Sequence, residues 1–388
     1  MKSRSSGSGF HFIFQRHFSF FKTMNEAVLK TIILILLIGI GLILKGKFLS
    51  KDKTDGIKEM VLSVALPSTI FIALMKINLD ITLLFVPFVA LLFNFVLYFI
   101  TPVALSSLGI SKNSANARTL KLLIPSLAPG LSSFPFIAEF LGEESLALSA
   151  MADVGNKFFV LIFLYIIAMN MFLKTSGEEV SNTGEKIKSL LISLVKEPIN
   201  IILFTAIMLL SFGWNYNTLP EVVRGIFDKT SALMTPMVLI FIGLAVKFKE
   251  GNKRVVISLL LFRAGVSLLF SAALIKIAGF TDMNHVLLAV VLPLSSVSFW
   301  PFAHISLFNS KEELGQKDKR TFNMELAIMV LALSLPFSTT LILTILSAGT
   351  YFADVTRILW LGFGLTVIGI VPLLATRIYF SRVERMAQ

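Results

Sequence analysis

Residues 129–136 are Pro-Gly-Leu-Ser-Ser-Phe-Pro-Phe, and residues 293–302 are Pro-Leu-Ser-Ser-Val-Ser-Phe-Trp-Pro-Phe. Each stretch lies inside a long apolar segment. Because proline removes a backbone donor and clashes with the preceding turn, each stretch predicts a break in a helix, with hinges at Pro129 and Pro293. In a bilayer such a break persists only where protein or a wet cavity provides partners for the freed backbone groups.

Composition indicates that the chain is an all-α integral membrane protein. Hydrophobic residues make up 55% of the 388 positions and charged residues only 15%, against about 25% charged in an ordinary soluble domain. The apolar residues form eleven stretches long enough to cross a bilayer. The predicted spans lie near 26–45, 57–76, 81–105, 117–141, 144–173, 198–214, 220–247, 254–278, 283–308, 322–347 and 355–377.

The charges predict how the chain is oriented in a cell membrane. The net charge is +12, but the Lys and Arg residues lie between the apolar stretches, which favours a topogenic role over nucleic-acid binding. The connections after odd-numbered spans are rich in Lys and Arg, and those after even-numbered spans are poor in them. The odd connections are therefore expected in the cytoplasm, with the N-terminus outside and the C-terminus inside. The absence of cysteine excludes disulfides and thiolate metal sites.

The N-terminal tail, residues 1–25, does not fit this orientation, because it carries basic residues and no acidic one. Three interpretations stay open: a transit peptide, a genuine tail, or a true start at Met24, which leads directly into the first span.

A second pair of prolines indicates an internal repeat. Leu66-Pro67 in span 2 matches Thr235-Pro236 in span 7, and both are predicted hinges. Pro67 precedes Pro135 of span 4 by 68 residues, and Pro236 precedes Pro301 of span 9 by 65.

Matched motifs at matched spacing predict a duplicated unit of five helices. Since five is odd, the second copy enters the membrane upside down, as in many secondary transporters. The fold class is therefore an inverted repeat of two five-helix units with crossed broken helices, plus one extra C-terminal span. The predicted organisation is 1–25 tail, 26–173 first repeat, 174–197 cytoplasmic linker, 198–347 second repeat, and 348–388 extra span and cytoplasmic tail.

These motifs, in this order, resemble the auxin efflux carrier family, which includes plant PIN-type carriers and bacterial organic-acid permeases. The resemblance covers about residues 27–347. It rests on Leu66-Pro67, Pro135 followed by Gly142-Glu143-Glu144, Asp153-Val-Gly-Asn156, Lys196-Glu197-Pro198, Thr235-Pro236 through Gly243, and Pro301-Phe302. The sequence departs from the family at Ala128 and Glu197, where Asn is usual, and in having span 11.

The resemblance implies a scaffold of spans 1, 2, 6 and 7. It also implies a transport part of spans 3–5 and 8–10, in which helices 4 and 9 cross. Sliding of the second part past the first would give elevator-like alternating access. The family also suggests a homodimer formed through the scaffold.

The crossing suits an organic anion, because each break exposes a half-helix N-terminus with free N–H groups. The candidate substrate-binding residues are Ser132, Ser133, Pro135, Ser295, Ser296, Ser298, Pro301 and Arg263. Serines can instead bond to their own helix. Arg263, about 13 Å into span 8, could bind a carboxylate, snorkel, or pair with an acid.

Three further residues are candidates for coupling to H⁺ or Na⁺. Asp153 lies about 15 Å into span 5, with Asn156 on an adjoining face. Lys157 follows Asp153 by one turn and offers a simple i,i+4 ion pair as the alternative. His304, three residues after Pro301, is either a proton relay or a structural hydrogen-bonding residue.

The sequence thus predicts a membrane carrier for a small carboxylate and no cofactor beyond a coupled ion. It is not predicted to be an enzyme, because it lacks the His-Glu-x-x-His, Gly-x-Ser-x-Gly and Walker motifs. The alternatives are a membrane sensor or binding protein derived from a carrier, and a multi-pass membrane enzyme.

Overall fold

The computed structural model describes residues 26–47, 50–76, 85–176, 183–245, 253–314 and 320–386, and these ranges contain no strand. The N-terminal tail, residues 81–84 of predicted span 3 and part of the linker lie outside them. The first nine helices are α1 (Glu26–Leu44), α2 (Lys51–Met60), α3 (Leu66–Lys76), α4 (Val86–Ser107), α5 (Ala115–Leu123), α6 (Pro129–Ser132), α7 (Phe134–Phe158), α8 (Leu164–Ser176) and α9 (Thr183–Lys196). The others are α10 (Pro198–Ser211), α11 (Glu221–Ser231), α12 (Met234–Ala245), α13 (Lys253–Ala278), α14 (Met283–Val291), α15 (Phe299–Leu314), α16 (Met324–Ala348) and α17 (Val355–Met386).

The prediction of an all-α, multi-pass membrane protein is confirmed in its coarse form. Seven helices of the described chain are long and apolar enough to cross a membrane, and three shorter apolar helices accompany them. Side chains on these helices expose large apolar surface, as Phe88 (67%) and Phe204 (70%) do. Such surface suits contact with lipid.

Predicted spans 4 and 5 are joined without a loop. Helix α7 contains a kink at Gly142, whose φ of +82° and ψ of −173° are not helical. Only glycine adopts a positive φ at little cost, so a sharp turn separates the end of span 4 from span 5 at this residue.

The predicted hinges at Pro67 and Pro236 differ in structure. Pro67 does not interrupt its helix: a π-helical turn, Val61–Ala65, precedes it and connects α2 to α3. A widened turn accommodates the proline ring and the missing N–H while the chain stays helical. In span 7 the helix does break, between Ser231 and Met234, just before Pro236.

Glycine permits close contact between helices at several places, among them the contacts of α1 with α12 and of α13 with α17. A Cβ atom on Gly41 of α1 would lie 2.1 Å from the carbonyl oxygen of Ile240 in α12, and one on Gly243 would lie 2.2 Å from that of Ile38. In the extra span, α17 packs along α13, where a Cβ on Gly265 would lie 2.3 Å from Oγ1 of Thr366. Small residues let transmembrane helices approach closely enough for dense packing.

The buried apolar residues form two clusters. The first includes Ile70, Phe134 and Leu294. The second includes Leu123, Leu127 and Val297. Residues of both clusters therefore flank the interrupted parts of spans 4 and 9.

We expect Gly41→Ala to destabilise the protein. The added methyl group would force α1 away from α12, and overpacking of this kind typically costs about 1–3 kcal/mol. Gly39→Ala is the matched control, since no atom lies within 4 Å of the position that its methyl group would take. The midpoint of thermal unfolding in detergent should fall for Gly41→Ala alone. Equal midpoints for the two variants would show that the close contact is not required.

Candidate functional site at the crossing of two broken helices

Span 4 is interrupted in the manner that its prolines predict. Helix α5 ends at Leu123, residues 124–128 are not helical, and a single helical turn, α6, begins at Pro129. Ser133 then leaves the helical conformation before α7 begins with Pro135 in its first turn. Proline suits the first turn of a helix, because the N–H that it lacks would have no partner within the helix.

Span 9 is interrupted in a similar way. Helix α14 ends at Val291, a 3₁₀ turn covers Leu292–Leu294, and residues 295–298 are not helical. Helix α15 begins at Phe299, so that Pro301 lies in its first turn.

The two non-helical segments contact each other directly. The backbone N–H of Ala128 donates to the carbonyl oxygen of Ser296 over 2.8 Å. The N–H of Ser296 donates in turn to Oγ of Ser132 over 2.9 Å. The hydroxyl groups of Ser133 and Ser295 lie 3.0 Å apart, and both residues are fully buried. Each break therefore supplies hydrogen-bonding partners for the other.

Most of the predicted serines also bond to the chain nearby. Ser132 donates to the carbonyl oxygen of Ala128, Ser133 to that of Pro129, and Ser295 to that of Leu292. Ser298 accepts from the N–H of Trp300. These bonds match the alternative in which the serines bond to their own helices, and contact with a substrate stays a prediction.

Ser126 has a role at the crossing that the sequence did not indicate. Its hydroxyl donates to the carbonyl oxygen of Leu123 over 2.6 Å and accepts the N–H of Ser298 over 3.0 Å. It thereby connects the end of α5 to the segment that leads into α15. A short polar residue beside the predicted break was the only signal available for it.

Arg263 reaches the crossing from α13. Its Nε donates to the carbonyl oxygen of Ile124, and its Nη2 to that of Ser126, both over 2.9 Å. The residue is 2% exposed. Carbonyl groups at a helix C-terminus have no partner within the helix and carry partial negative charge, so a guanidinium group here stabilises the end of α5. Binding of a substrate carboxylate by Arg263 remains a prediction.

Asn156 of α7 pairs with the peptide groups of Leu127. Its Nδ2 donates to the Leu127 carbonyl oxygen over 3.0 Å, and its Oδ1 accepts the Leu127 N–H over 3.2 Å. Asn94 of α4 donates to the same Oδ1 over 2.9 Å. Sequence reasoning missed Asn94, although a lone amide in an apolar span could have drawn attention to it.

A charged cluster lies on the other side of Asn156. Nδ2 of Asn156 donates to Oδ1 of Asp153 over 2.8 Å. Oδ2 of Asp153 is 3.3 Å from Nζ of Lys157, as the i,i+4 alternative predicted. Lys157 is also 2.9 Å from Oε1 of Glu197, which immediately precedes α10. One buried ammonium group is therefore shared by a carboxylate of α7 and a carboxylate at the N-terminus of α10.

His304 lies apart from these groups. Its Nε2 donates to the carbonyl oxygen of Val160 over 2.9 Å, and its ring packs edge-on against Tyr165 at 5.3 Å between centroids. Val160 belongs to the π-helical turn Phe159–Phe163, a geometry that disturbs the regular pattern of carbonyl bonding in a helix. The bond matches the structural role considered for this residue, and a part in proton relay stays a prediction.

The site thus lies inside an all-helical protein of the multi-pass membrane class. Comparison of the chain with protein-family models and with curated proteins gives no match.

We expect Asn156→Ala to destabilise the crossing. The change would leave the N–H and carbonyl groups of Leu127 buried without these partners, and each such group typically costs about 1–3 kcal/mol. Ser149→Ala is a matched control in α7, because the buried Ser149 hydroxyl donates to the carbonyl oxygen of Ser145 in its own helix and has no other bond to a described residue. Thermal unfolding in detergent should separate the two variants. Unfolding midpoints that fall equally would contradict a special role for Asn156.

Proposed function

We propose that the protein is a secondary transporter of a small organic anion, with a carboxylate as substrate and elevator-like alternating access. The observation that supports this most is the direct hydrogen bonding of two interrupted spans at Ala128 and Ser296. Paired broken helices at bilayer depth are a recurrent architecture of carrier substrate sites. Non-helical backbone is tolerated at that depth only where protein or a wet cavity surrounds it.

The polarity of the crossing favours an anion. Helices α7 and α15 both begin there, at Phe134 and Phe299. The N-terminus of a helix carries partial positive charge and several N–H groups without helical partners. We propose that the substrate carboxylate lies near these two N-termini, among the serines that connect the breaks.

The proposal includes an inverted repeat and membership of the auxin efflux carrier family. In support, the two breaks occupy corresponding places in the predicted five-helix units, and each is followed by a helix with proline in its first turn. The scaffold would then comprise spans 1, 2, 6 and 7, with a homodimer formed through it.

The charged cluster is the proposed site of ion coupling. Asp153 is 4% exposed, and it connects through Asn156 to the backbone of the span 4 break. Binding of a proton or Na⁺ at Asp153 would change the charge beside the hydrogen bonds that hold Leu127. Such a connection would let the ion and the substrate act on the same segment.

The purified protein, reconstituted in liposomes, tests this function. We expect labelled monocarboxylates or dicarboxylates to accumulate under an imposed proton or sodium gradient, with amino acids as a further set of candidates. Pro135→Ala and Pro301→Ala should each lower the uptake rate, because alanine would let helix extend into the non-helical segments. Pro102→Ala, which changes a proline inside α4, is the control and should transport normally.

Two outcomes would count against the proposal. Unchanged uptake in both crossing variants would exclude the broken-helix mechanism. Failure to take up any candidate, together with turnover of a lipid or peptide, would favour a membrane enzyme instead.

A further inference from the structure

An apolar cleft of about 440 Å³ lies between α4 and α13. At its inner end the rings of Phe93 and Phe270 are 5.0 Å apart, so the two helices touch there. Its back wall is formed by α7 and α14, through residues such as Ala152 and Leu288. We call this space the α4–α13 cleft.

The lining of the α4–α13 cleft suits hydrocarbon. Of the side chains that line it in the described chain, only His285 is polar, and the others are aliphatic, aromatic or proline. Ordered water needs two to four polar partners, which this lining does not provide. A carboxylate would lose its hydration there without compensation. A cavity of this size and polarity instead matches the apolar body of a ligand.

The entrance of the α4–α13 cleft lies at the ends of two apolar helices that are long enough to cross a membrane. Phe85 and Phe280 line it and are 63% and 38% exposed. Phe85 immediately precedes α4 and Phe280 closely follows α13, so the entrance lies at the helix ends and is bordered by two apolar rings. Phe88 and Ile277, on the same helices, are 67% and 86% exposed, as expected of side chains in contact with lipid.

The depth of the cleft also fits an extended chain. Along α13 its lining runs from Ala278 to Phe270, which is about 12 Å at the helical rise. A hydrocarbon chain that enters at the interface would therefore run inward, parallel to the helices, to the ring contact of Phe93 and Phe270.

We propose that the α4–α13 cleft binds one acyl chain of a bilayer phospholipid. The bilayer supplies such chains at the level of the entrance, and the apolar lining accepts them without loss of hydrogen bonds. The inner lining includes Leu127 and Pro293, one from each interrupted span. An acyl chain there contacts both sides of the crossing, so lipid composition affects how tightly the broken helices pack. This site does not depend on the transport activity proposed above.

Photolabelling in lipid vesicles tests the site. The full-length protein is reconstituted with phosphatidylcholine that carries a diazirine on one acyl chain, irradiated, digested, and mapped by mass spectrometry. We expect adducts on Ala152 and Leu288, which are only 4% and 8% exposed, so that label reaches them through the cleft. Adducts confined to Phe88, Ile277 and similar outer positions would overturn the proposal.

A variant whose side chain fills the cleft provides a second test of the site. Ala289→Phe should abolish the adducts on Ala152 and Leu288, because its ring would occupy the cleft. Ala273→Phe, on the exposed side of α13, should leave them unchanged. Ala90→Phe fills the cleft from the opposite wall and replaces Ala289→Phe if that variant does not fold. Inner adducts that persist in a folded filling variant, or that form with a free diazirine fatty acid but not with the phospholipid, would also contradict the proposal.

Discussion

The fold depends on one constraint: backbone groups that leave a helix at bilayer depth must find partners within the protein, because lipid offers none. Spans 4 and 9 both leave the helix, and their freed groups are paired with each other through Ala128, Ser296 and Ser132. Arg263 and Asn156 bind other carbonyl and N–H groups of the span 4 segment. Hydrogen bonds to about ten residues of non-helical chain, together with the bond between Asn94 and Asn156, consequently connect five spans: the third, fourth, fifth, eighth and ninth.

These hydrogen bonds make the two interrupted spans move together. Neither interrupted span could straighten or move away alone without exposing several donors and acceptors to an apolar environment, at a cost of several kcal/mol for each. Conformational change in a proposed elevator would therefore carry the crossing as a rigid body. The glycine contact of α1 with α12, which involves Gly41 and Gly243, lies outside this unit and belongs to the spans proposed as the scaffold.

Local chemistry explains which features the sequence could predict. The breaks were predictable, because proline acts on its own turn, and Pro129, Pro135, Pro293 and Pro301 all lie at or beside helix interruptions. The conformation at Pro67 was not predictable, because a π-helical turn can accommodate the proline ring without a break in the helix. The hydrogen-bond network of the crossing could not be predicted either, because its partners are far apart in sequence. Asn94 is 62 residues from Asn156, and Arg263 is 139 residues from Ile124. Nothing in local periodicity indicates which polar residue of a span will meet which carbonyl group.

The cluster of Asp153, Lys157 and Glu197 shows why residue spacing gave only part of the candidate site. The i,i+4 relation predicted a pair in which the two charges cancel, but Glu197, just before α10, also contacts Lys157. With all three groups ionised the cluster carries one excess negative charge. A buried excess charge is costly unless it is compensated. Addition of one proton or one monovalent cation would neutralise the cluster. Asn156 donates both to Asp153 and to the carbonyl oxygen of Leu127 in the span 4 break, so two hydrogen bonds connect the charged cluster to the crossing.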